Sequence, residues 1–429
     1  MLPQIRNDEH LYAVPKFNIK AKDIEDFNNE LKGFHENFKE CFFRSESREH
    51  FFKYMVGQFS ELERKSIEPI ALAVKDGNIR SMQYFVSDVI WDNNKILHKY
   101  HNMVSDDLGD PNGVLIFDET GFIKKGDDSI GVGKQYCGSI GKVENCQVGV
   151  FAAYASPHGY AMIDKRLFIP EKWFTDDYAP RRKKCDLPED ITFMSKPQLA
   201  IHMLKDIVEG KQIPFKWAVA DSIYGNSPDF IQAVEQCPGL HYFVSVPFDT
   251  SCWLTTPITR KKKYKYKGQI REKVVLEKTE KKPITVASLA KSINNFFWYR
   301  RKVSEGTKGP IEYEFTKRRI ILSKNGIPDK TVWLIIRRTI EKDPTYRYYL
   351  SDAPLSTRLP TFVWLSGLRW PIEQCFEEAK TELGMDHYEV RKYRGWNHHI
   401  LTCMLAHFFL WHLKIRLGKK STVYYAIAA

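Results

Sequence analysis

Three acidic side chains stand out in the sequence by their type and their surroundings. Asp118 and Asp221 each end an apolar run, in VLIFD and KWAVAD, and Glu373 follows the proline of LRWPIEQCFEEAK. Apolar runs of this length predict β-strands, and functional groups of α/β sheets commonly lie at strand ends. Two carboxylates held side by side need a cation, and Mg²⁺ prefers oxygen ligands. Two such ions can activate the attacking oxygen and stabilise the leaving oxygen in phosphodiester cleavage, which is the chemistry we predict.

The segment around Glu373 supplies further charged groups. A helix that begins at Pro371 would hold Glu373 in its first turn, where the helix dipole favours a negative charge. Glu377 and Lys380 would share the face of Glu373, and Arg369 flanks the helix start. Cations beside a metal-binding carboxylate suit a site that also holds phosphates. Glu377 is the alternative to Glu373 as metal ligand.

The elements that must position these residues fall into four segments of an α/β chain. Residues 1–108 show helical spacing of apolar residues and predict an all-α region, either DNA-binding or a plain helical bundle. Residues 109–247 alternate strands with helices and form the first part of the catalytic core. Residues 248–352 predict a β-rich basic insertion, and residues 353–429 predict the helical end of the core, with Gly384 ending the helix of Glu373.

The insertion contains a concentrated basic run. Arg260–Lys282 holds eleven Lys or Arg residues against three Glu, interleaved with two tyrosines. Basic side chains with interleaved aromatics suit contacts to a nucleic-acid backbone. The lysines predicted to contact DNA are Lys261, Lys262, Lys263 and Lys265.

Bulk properties agree with a nucleic-acid partner. The net charge of +12 and the isoelectric point near 9.1 favour polyanions as partners. The N-terminus has no apolar signal segment, and Ile400–Leu413, the longest strongly apolar stretch, is too short to span a bilayer. The eight cysteines include no CxxC pair and predict reduced thiols. We therefore expect a cytoplasmic protein without a membrane partner.

Three segments resemble bacterial insertion-sequence transposases of the IS701 family, relatives of the IS4 group. These are FDETGFIKKGDDSIGVGKQYCGSIGKVENCQVGVFAAYAS, WAVADSIYG and LRWPIEQCFEEAKTELGMDHYEVRKYRGW, and the resemblance runs from about residue 10 to 415. The third segment carries in the wider group a Tyr-x2-Arg-x3-Glu-x6-Lys signature. Its Arg, Glu and Lys correspond to Arg369, Glu373 and Lys380, whereas Ser366 replaces its tyrosine.

The resemblance implies an RNase H-like fold with a DDE triad of Asp118, Asp221 and Glu373. It implies an enzyme that binds the terminal inverted repeats of a mobile element, cleaves the DNA with Mg²⁺, and joins the 3′-OH to target DNA; Mn²⁺ can replace Mg²⁺. Cleaving and joining two ends together implies at least a homodimer in the synaptic complex, located at the bacterial nucleoid. Because relatives in the IS4 group can use a DNA hairpin, in which an aromatic holds a flipped base, Trp298 and Trp253 are candidates for stacking, with packing in a β-core as the alternative.

Further residues and functions remain as alternatives. Tyr224 and Asn226, beside Asp221, are candidates for positioning DNA or metal-bound water. The i, i+4, i+8 set His399, Cys403 and His407 could form a zinc face, although an apolar helix with buried His and Cys is the favoured interpretation.

Other classes of protein fit parts of the pattern. These are an RNase H-like DNA endonuclease without strand transfer, a non-catalytic DNA-binding derivative of a transposase, and more remotely a glycosidase with paired carboxylates. The tail KKSTVYYAIAA has no clear helix terminator, so we expect a C-terminus shortened relative to the relatives.

Overall fold

The computed structural model describes residues 21–267, 269–306 and 309–417. Contacts divide the chain into two compact units. Unit 1 holds the chain up to Lys216 and again from Trp370, and unit 2 holds Trp217–Arg369. The units cut the chain at other places than the four segments expected from composition, because the N-terminal helices share a core with the strands that follow them.

The N-terminal part of unit 1 is helical, which confirms the prediction for this stretch. Asn78 and Asp92 cap two of the helices by accepting backbone N–H groups of Ser81 and Lys95, as N-cap side chains typically do. The helices are α1 (Ala21–Glu36), α2 (Ser45–Gln58), α3 (Ile67–Ala73), α4 (Ile79–Ser87) and α5 (Asn93–Leu108), with a 3₁₀ turn at Lys39–Cys41.

Four antiparallel strands follow. They are β1 (Val114–Ile123), β2 (Gly133–Cys137), β3 (Lys142–Ser156) and β4 (Gly159–Phe168). The long strand β3 is central, with β1 on one edge and β2 and β4 in succession on the other. The apolar runs QVGVFAAYAS and YAMIDKRLFIP each predict a strand, and both strands are observed, as β3 and β4. The sequence gives no such signal for β2, because its surroundings are rich in glycine and polar residues.

Short helical segments connect β4 to the next long helix. These are 3₁₀ turns at Glu171–Phe174 and Asp176–Tyr178, then α6 (Ala179–Lys184) and α7 (Lys196–Gly210). Ser195, which its residue type predicts as a helix N-cap, forms a reciprocal capping box with Gln198 at the start of α7. The apolar face of α7, with Leu199, Met203 and Ile207 buried, packs on β3 and β4.

Unit 2 is a mixed sheet with short helices. It contains β5 (Trp217–Ala220), α8 (Ser222–Gly225), α9 (Pro228–Glu235), β6 (His241–Val246), β7 (Ser251–Trp253), β8 (Thr259–Tyr266), β9 (Gln269–Leu276), β10 (Ile284–Thr285), α10 (Val286–Ser292), a 3₁₀ turn at Asn295–Phe297, β11 (Tyr299–Gly306), β12 (Gly309–Lys324), β13 (Ile327–Arg338), β14 (Tyr346–Ser351) and α11 (Leu359–Gly367). The strand order within the unit is β10-β7-β12-β13-β14-β6-β5, and β11 pairs with β12. Among the described strands of this unit, only β5 and β6 pair in parallel, and β8 and β9 form a separate hairpin.

Two helices complete the described chain. They are α12 (Arg369–Thr381) and α13 (Tyr393–Leu417). The helix of Glu373 therefore begins two residues before the predicted start at Pro371, and Glu373 lies just beyond the first turn. Gly384 follows with a left-handed φ of +67°, and the Met385 N–H donates to Ala379 O at 2.9 Å, which closes this end of the helix.

Helix α13 forms the core of unit 1 together with the N-terminal helices. The ring of Phe409 lies 5.6 Å from Phe27 and 5.1 Å from Phe34, and Trp91 stacks on His398 at 3.8 Å. The N-terminal helices thus pack on the last helix of the described chain. No helix in the described part of the chain is both long enough and apolar enough to cross a bilayer.

The histidines and the cysteine of α13 are used inside this core. His399 Nδ1 accepts from the hydroxyl of Tyr54 at 2.7 Å, and Gln58 Nε2 donates to the sulfur of Cys403. His399, Cys403 and His407 are all buried. These contacts agree with the interpretation of buried polar residues on an apolar helix rather than with a zinc face. The eight cysteines, all in described segments, form no disulfide there.

Candidate active site

Asp118 lies in the middle of β1, so the prediction that it ends a strand is wrong. Strand β3 pairs with β1 over its whole length, from Val114 opposite Ala155 to Ile123 opposite Cys146. The polar and glycine-rich continuation of the sequence resembled a turn. Gly121 instead lies within β1. Glycine is needed there because a Cβ would lie 2.4 Å from the sulfur of Cys137.

The two acids of the FDETG motif point to opposite faces of the sheet. Asp118 is half-buried, and its Oδ1 accepts the backbone N–H of Glu119 at 2.8 Å. The Glu119 carboxylate accepts from Lys196 Nζ of α7, also at 2.8 Å. Successive residues of a strand alternate between faces, so Glu119 belongs to the face covered by α7 and Asp118 to the other.

Helix α12 packs on the face that carries Asp118. Asp118 lies directly opposite Phe151 of β3, and the Phe376 ring packs edge-on against Phe151 at 5.1 Å. Lys380 Nζ donates to Thr120 Oγ1 at 2.8 Å and to Gly121 O at 2.9 Å. Thr120 is two residues from Asp118 and therefore on the same face. Both contacts fix α12 over the row that contains Asp118.

On the surface of α12, Glu373 lies nearer than Glu377 to the direction in which the helix contacts β1. At about 100° per residue, Glu373 is turned about 40° from the mean direction of Phe376 and Lys380, and Glu377 about 80°. Lys380 lies beside Thr120 of β1, and Phe376 lies beside the strand pair of Asp118 and Phe151. Glu373 is about one helical turn beyond Phe376 in the same direction. Both glutamates are exposed. The helix geometry within unit 1 therefore favours Glu373 over Glu377 as the partner of Asp118.

A partly buried hydrogen-bond network on the opposite side of α12 fixes the orientation of the helix about its own axis. Glu378 Oε2 bonds to His407 Nε2 at 2.7 Å, and Oε1 accepts from Tyr160 at 3.1 Å and from Gln374 at 2.9 Å. Burial alone would raise the pKa of Glu378, but the hydrogen bond from His407 and the electrostatic interaction with its imidazole reverse this, so the pKa lies below its ordinary value. The sequence does not indicate the roles of Glu378 and Tyr160, because residues that only folding brings together show no characteristic spacing.

Lys380 links α12 to β1 instead of pointing to solvent. It is half-buried, and burial lowers the pKa of its ammonium group below the ordinary value. With two hydrogen bonds to β1, its side chain serves as a positioning group between the strand of Asp118 and the helix of Glu373. The expectation that it binds DNA does not fit this geometry.

Lys380→Met should distinguish a positioning role of Lys380 from a role in DNA binding. We expect cleavage activity to fall by about 10- to 100-fold, as for partners that orient metal ligands, while DNA affinity and its salt dependence stay unchanged. A kinetic assay beside a binding titration at several salt concentrations measures this, with Lys380→Arg as the charge-retaining control. A slope of log K against log salt that falls by about 0.9 would instead mark Lys380 as a phosphate contact.

Asp221 follows β5 directly in unit 2, so its predicted position at a strand end is confirmed. β5 is fully buried, and Asp221 Oδ1 accepts the Ile223 N–H at 2.8 Å as the N-cap of α8. Tyr224 is fully buried, with its ring 5.6 Å from Phe230, which does not fit a direct contact to DNA. Asn226 is exposed.

The two tryptophans proposed for base stacking are buried in unit 2. Trp298 lies under the guanidinium of Arg338 at 4.1 Å, and Trp253 Nε1 donates to Lys281 O at 2.9 Å. Both are less than a tenth exposed. Their packing fits the β-core interpretation, and a stacking role for Trp298 does not fit its burial.

The residues of the Tyr-x2-Arg signature have separate outcomes. Ser366 is buried, and its hydroxyl donates to Val363 O at 2.7 Å, so it offers no contact to a phosphate. The side chain of Arg369 lies outside the described residues, so its proposed DNA contact stays a prediction.

The basic run forms an exposed β8–β9 hairpin. Its register splits the predicted lysines between two faces, with Lys261, Lys263 and Lys265 on one and Lys262 on the other. All four are exposed. The face of Lys262 also carries Tyr264 and Tyr266, whose rings lie 5.3 Å from Lys273 and 5.0 Å from Arg271.

The donor set at the β1–α12 face is of the kind that suits a hard cation. Within residues 21–267, 269–306 and 309–417, no three or more His, Cys, Asp or Glu side chains are grouped closely enough to hold a metal ion alone. Mg²⁺ commonly takes one or two carboxylates, and water or phosphate oxygens complete its shell. Asp118 and Glu373 fit that smaller share of ligands.

Comparison with known families agrees with this chemistry. Residues 37–310 match the family described as DDE superfamily endonuclease. The match spans well over half of the chain and includes Asp118 and Asp221, and the chain belongs to this family.

A curated relative also resembles the chain over most of its length. The chain is 25% identical over 344 residues to a probable transposase for insertion sequence element IS701 from Microchaete diplosiphon, covering 80% of this chain and 77% of the relative. The IS701-like family membership predicted from the sequence is confirmed. Among solved structures, the piggyBac transposase in a synaptic complex with hairpin DNA matches with a TM-score of 0.44 and 8% identity, covering 90% of this chain and 70% of the other.

Proposed function

We propose that this chain is a metal-dependent DNA transposase that cleaves the ends of an insertion sequence and joins the freed 3′-OH to target DNA. The observation that supports the proposal is the packing of the Glu373 helix, α12, on the Asp118 strand, β1: Phe376 contacts Phe151, and Lys380 bonds to Thr120. Membership of the DDE endonuclease family and the IS701-like relative support the same reaction.

The proposed ligands of the metal are Asp118, Asp221 and Glu373. Asp221 is included for its position directly after β5 and for its place in the matched family region. Mg²⁺, which Mn²⁺ can replace, would activate the attacking oxygen and stabilise the leaving oxygen. Within the chain, Lys380 positions β1 against α12, and Glu378 with His407 fixes the rotation of α12. The core fold that we propose for this arrangement is RNase H-like.

Double-stranded DNA is the proposed partner, as both element end and target. The exposed lysines of the β8–β9 hairpin and the net charge of +12 support binding to its phosphates. Joining two ends in one reaction requires that they be held together, and we propose a homodimer for that step, acting at the bacterial nucleoid.

Strand transfer distinguishes a transposase from an endonuclease that only cuts. The experiment uses the full chain, Mg²⁺, a supercoiled plasmid and a duplex ending in the pre-cleaved terminal repeat. The strand that ends in the free 3′-OH carries a label at its 5′ end. We expect the label to become covalently attached to the plasmid, and the same duplex with a 3′-deoxy end should give no product. Cleavage of an uncut duplex without any joined product would instead identify a nuclease.

A further inference from the structure

One face of the β-sheet in unit 2 carries arginines from three of its strands, β11, β13 and β14. In the antiparallel register, Arg301 lies opposite Tyr313, Arg337 opposite Phe315, and Arg337 opposite Arg347. Directly opposite residues, and alternate residues of one strand, share a face. Arg301, Arg337 and Arg347 therefore point to the same side, which we call the arginine face. Arg301 and Arg347 are exposed, and Arg337 is half-buried.

The opposite face of the same strands carries acids that pair with two of its arginines. There Arg300 bonds to Glu312 with Nε at 2.9 Å, and Arg338 bonds to Glu314 at 2.7 Å. Around the three arginines the arginine face has no such acids: no Asp or Glu points to it within the described residues 299–302, 312–319, 333–338 and 346–351, and Asp329 shares this face only at the far end of β13. The separation of charge between the two faces is what needs an explanation.

Arg337 and Arg347 form an unfavourable pair in the protein alone. Like charges directly opposite each other on neighbouring strands destabilise a sheet. The guanidinium of Arg337 lies 4.2 Å from the ring of Tyr313 and 6.0 Å from that of Tyr349. Stacking of this kind orients the guanidinium plane and leaves its N–H edge available for an anion. An anion bound between the two arginines would remove their repulsion.

We propose that the arginine face binds the phosphodiester backbone of duplex DNA independently of base sequence. The DNA backbone presents a row of phosphates, and arginines from three different strands could each contact one of them. Arginine is suited to two-point contacts with phosphate oxygens. The proposal rests on the proposed function and adds to it a second DNA-contacting surface besides the β8–β9 hairpin. It assigns to this surface a general contact that strengthens binding of any duplex rather than recognition of the terminal repeat.

The test compares the double variant Arg337→Gln/Arg347→Gln with Arg300→Gln, the matched control from the opposite face, where Arg300 is paired with Glu312. Fluorescence anisotropy would follow the full chain on a terminal-repeat duplex and on an unrelated duplex across a salt series. We expect the double variant to weaken both complexes by the same factor and to lower the slope of log K against log salt by about 1.8, or about 0.9 for each lost contact. Arg300→Gln should leave the slope unchanged.

The outcomes separate this inference from the proposed function. An unchanged slope in a protein that still cleaves and joins DNA would overturn the arginine face alone. A loss confined to the terminal-repeat duplex would also overturn it, because backbone contacts do not read sequence. A wild-type chain that binds neither duplex would contradict the proposed function as well.

A second readout needs no DNA. Because Arg347→Gln removes a like-charge pair, we expect it to raise Tm of the free protein by roughly 1–3 °C. A fall in Tm would show that Arg347 stabilises the fold itself and would overturn the argument from repulsion. Arg300→Gln, which removes a paired arginine, should not raise Tm.

Discussion

Glu373→Gln should reduce metal-dependent DNA cleavage by more than about 100-fold, since even partners that only orient a metal ligand typically contribute 10- to 100-fold. The amide keeps the size of the side chain but removes the negative charge that would hold the metal. Because Glu373 is exposed, the change should leave Tm and DNA affinity near their wild-type values. Cleavage rates under single-turnover conditions, measured with saturating DNA, report the loss directly.

Glu377→Gln is the matched control, one turn further along the same helix and equally exposed. We expect its cleavage rate to stay within a few-fold of wild type, because its side chain is turned further from the face of Asp118. If the larger loss occurred in Glu377→Gln and not in Glu373→Gln, the assignment of the third carboxylate would move to Glu377. Rescue of Glu373→Gln by Mn²⁺ would further mark a metal contact.

Acid should destabilise the protein well above the pH at which carboxylates titrate. His398 and His399 are buried in α13, and burial lowers the pKa of each from 6.5 to about 3. Each has to be neutral in the folded state but gains a proton near pH 6.5 when unfolded. The stability that these neutral histidines provide is thus complete above pH 6.5 and falls as the pH decreases toward 3, by up to about 1.4 kcal/mol per pH unit for each histidine.

Urea unfolding at pH 7.5, 6.5, 5.5 and 5.0 measures this dependence. The pH window separates the histidines from Glu378, because the lowered pKa of that carboxyl confines its contribution to more acid solutions. We expect the free energy of unfolding to be nearly constant between pH 7.5 and 6.5 and to fall steeply below. Burial also lowers the pKa of His35, His50 and His101, so the His399→Gln variant should show a slope smaller than that of wild type by up to about 1.4 kcal/mol per pH unit. A wild-type curve that stays flat to pH 5.0 would contradict neutral burial of His398 and His399.

The sequence predicted local features well wherever the physical signal is local. Ser195, with Gln198 three residues later, predicts the start of α7, and the apolar run before Asp221 predicts β5. The prediction failed at Asp118, because the pairing that extends β1 past it comes from β3, more than twenty residues away. The start of α12 was displaced by two residues, since the rule placing proline at a helix start is a tendency and not a requirement.

The site residues divide in the same way. Asp118, Asp221 and Glu373 could be proposed from residue type, local context and resemblance. Burial of Tyr224 and Trp298 and anchoring of Lys380 could not, because each depends on which distant side chains pack around it. The partners Tyr160 and His407 of Glu378 are likewise remote in sequence. The arginine face became visible only with the strand register, because its members come from three separate strands.

The most direct test of the central claim is cleavage of a labelled duplex that carries the terminal repeat of the element. Wild-type protein would be assayed with Mg²⁺ and with EDTA, beside Asp118→Asn and Asp221→Asn. We predict cleavage at the repeat boundary with Mg²⁺ only, lost in both variants while DNA binding persists. Cleavage that survives EDTA or either substitution, or binding by wild type without cleavage in Mg²⁺ and Mn²⁺, would contradict a metal-dependent transposase built on these carboxylates.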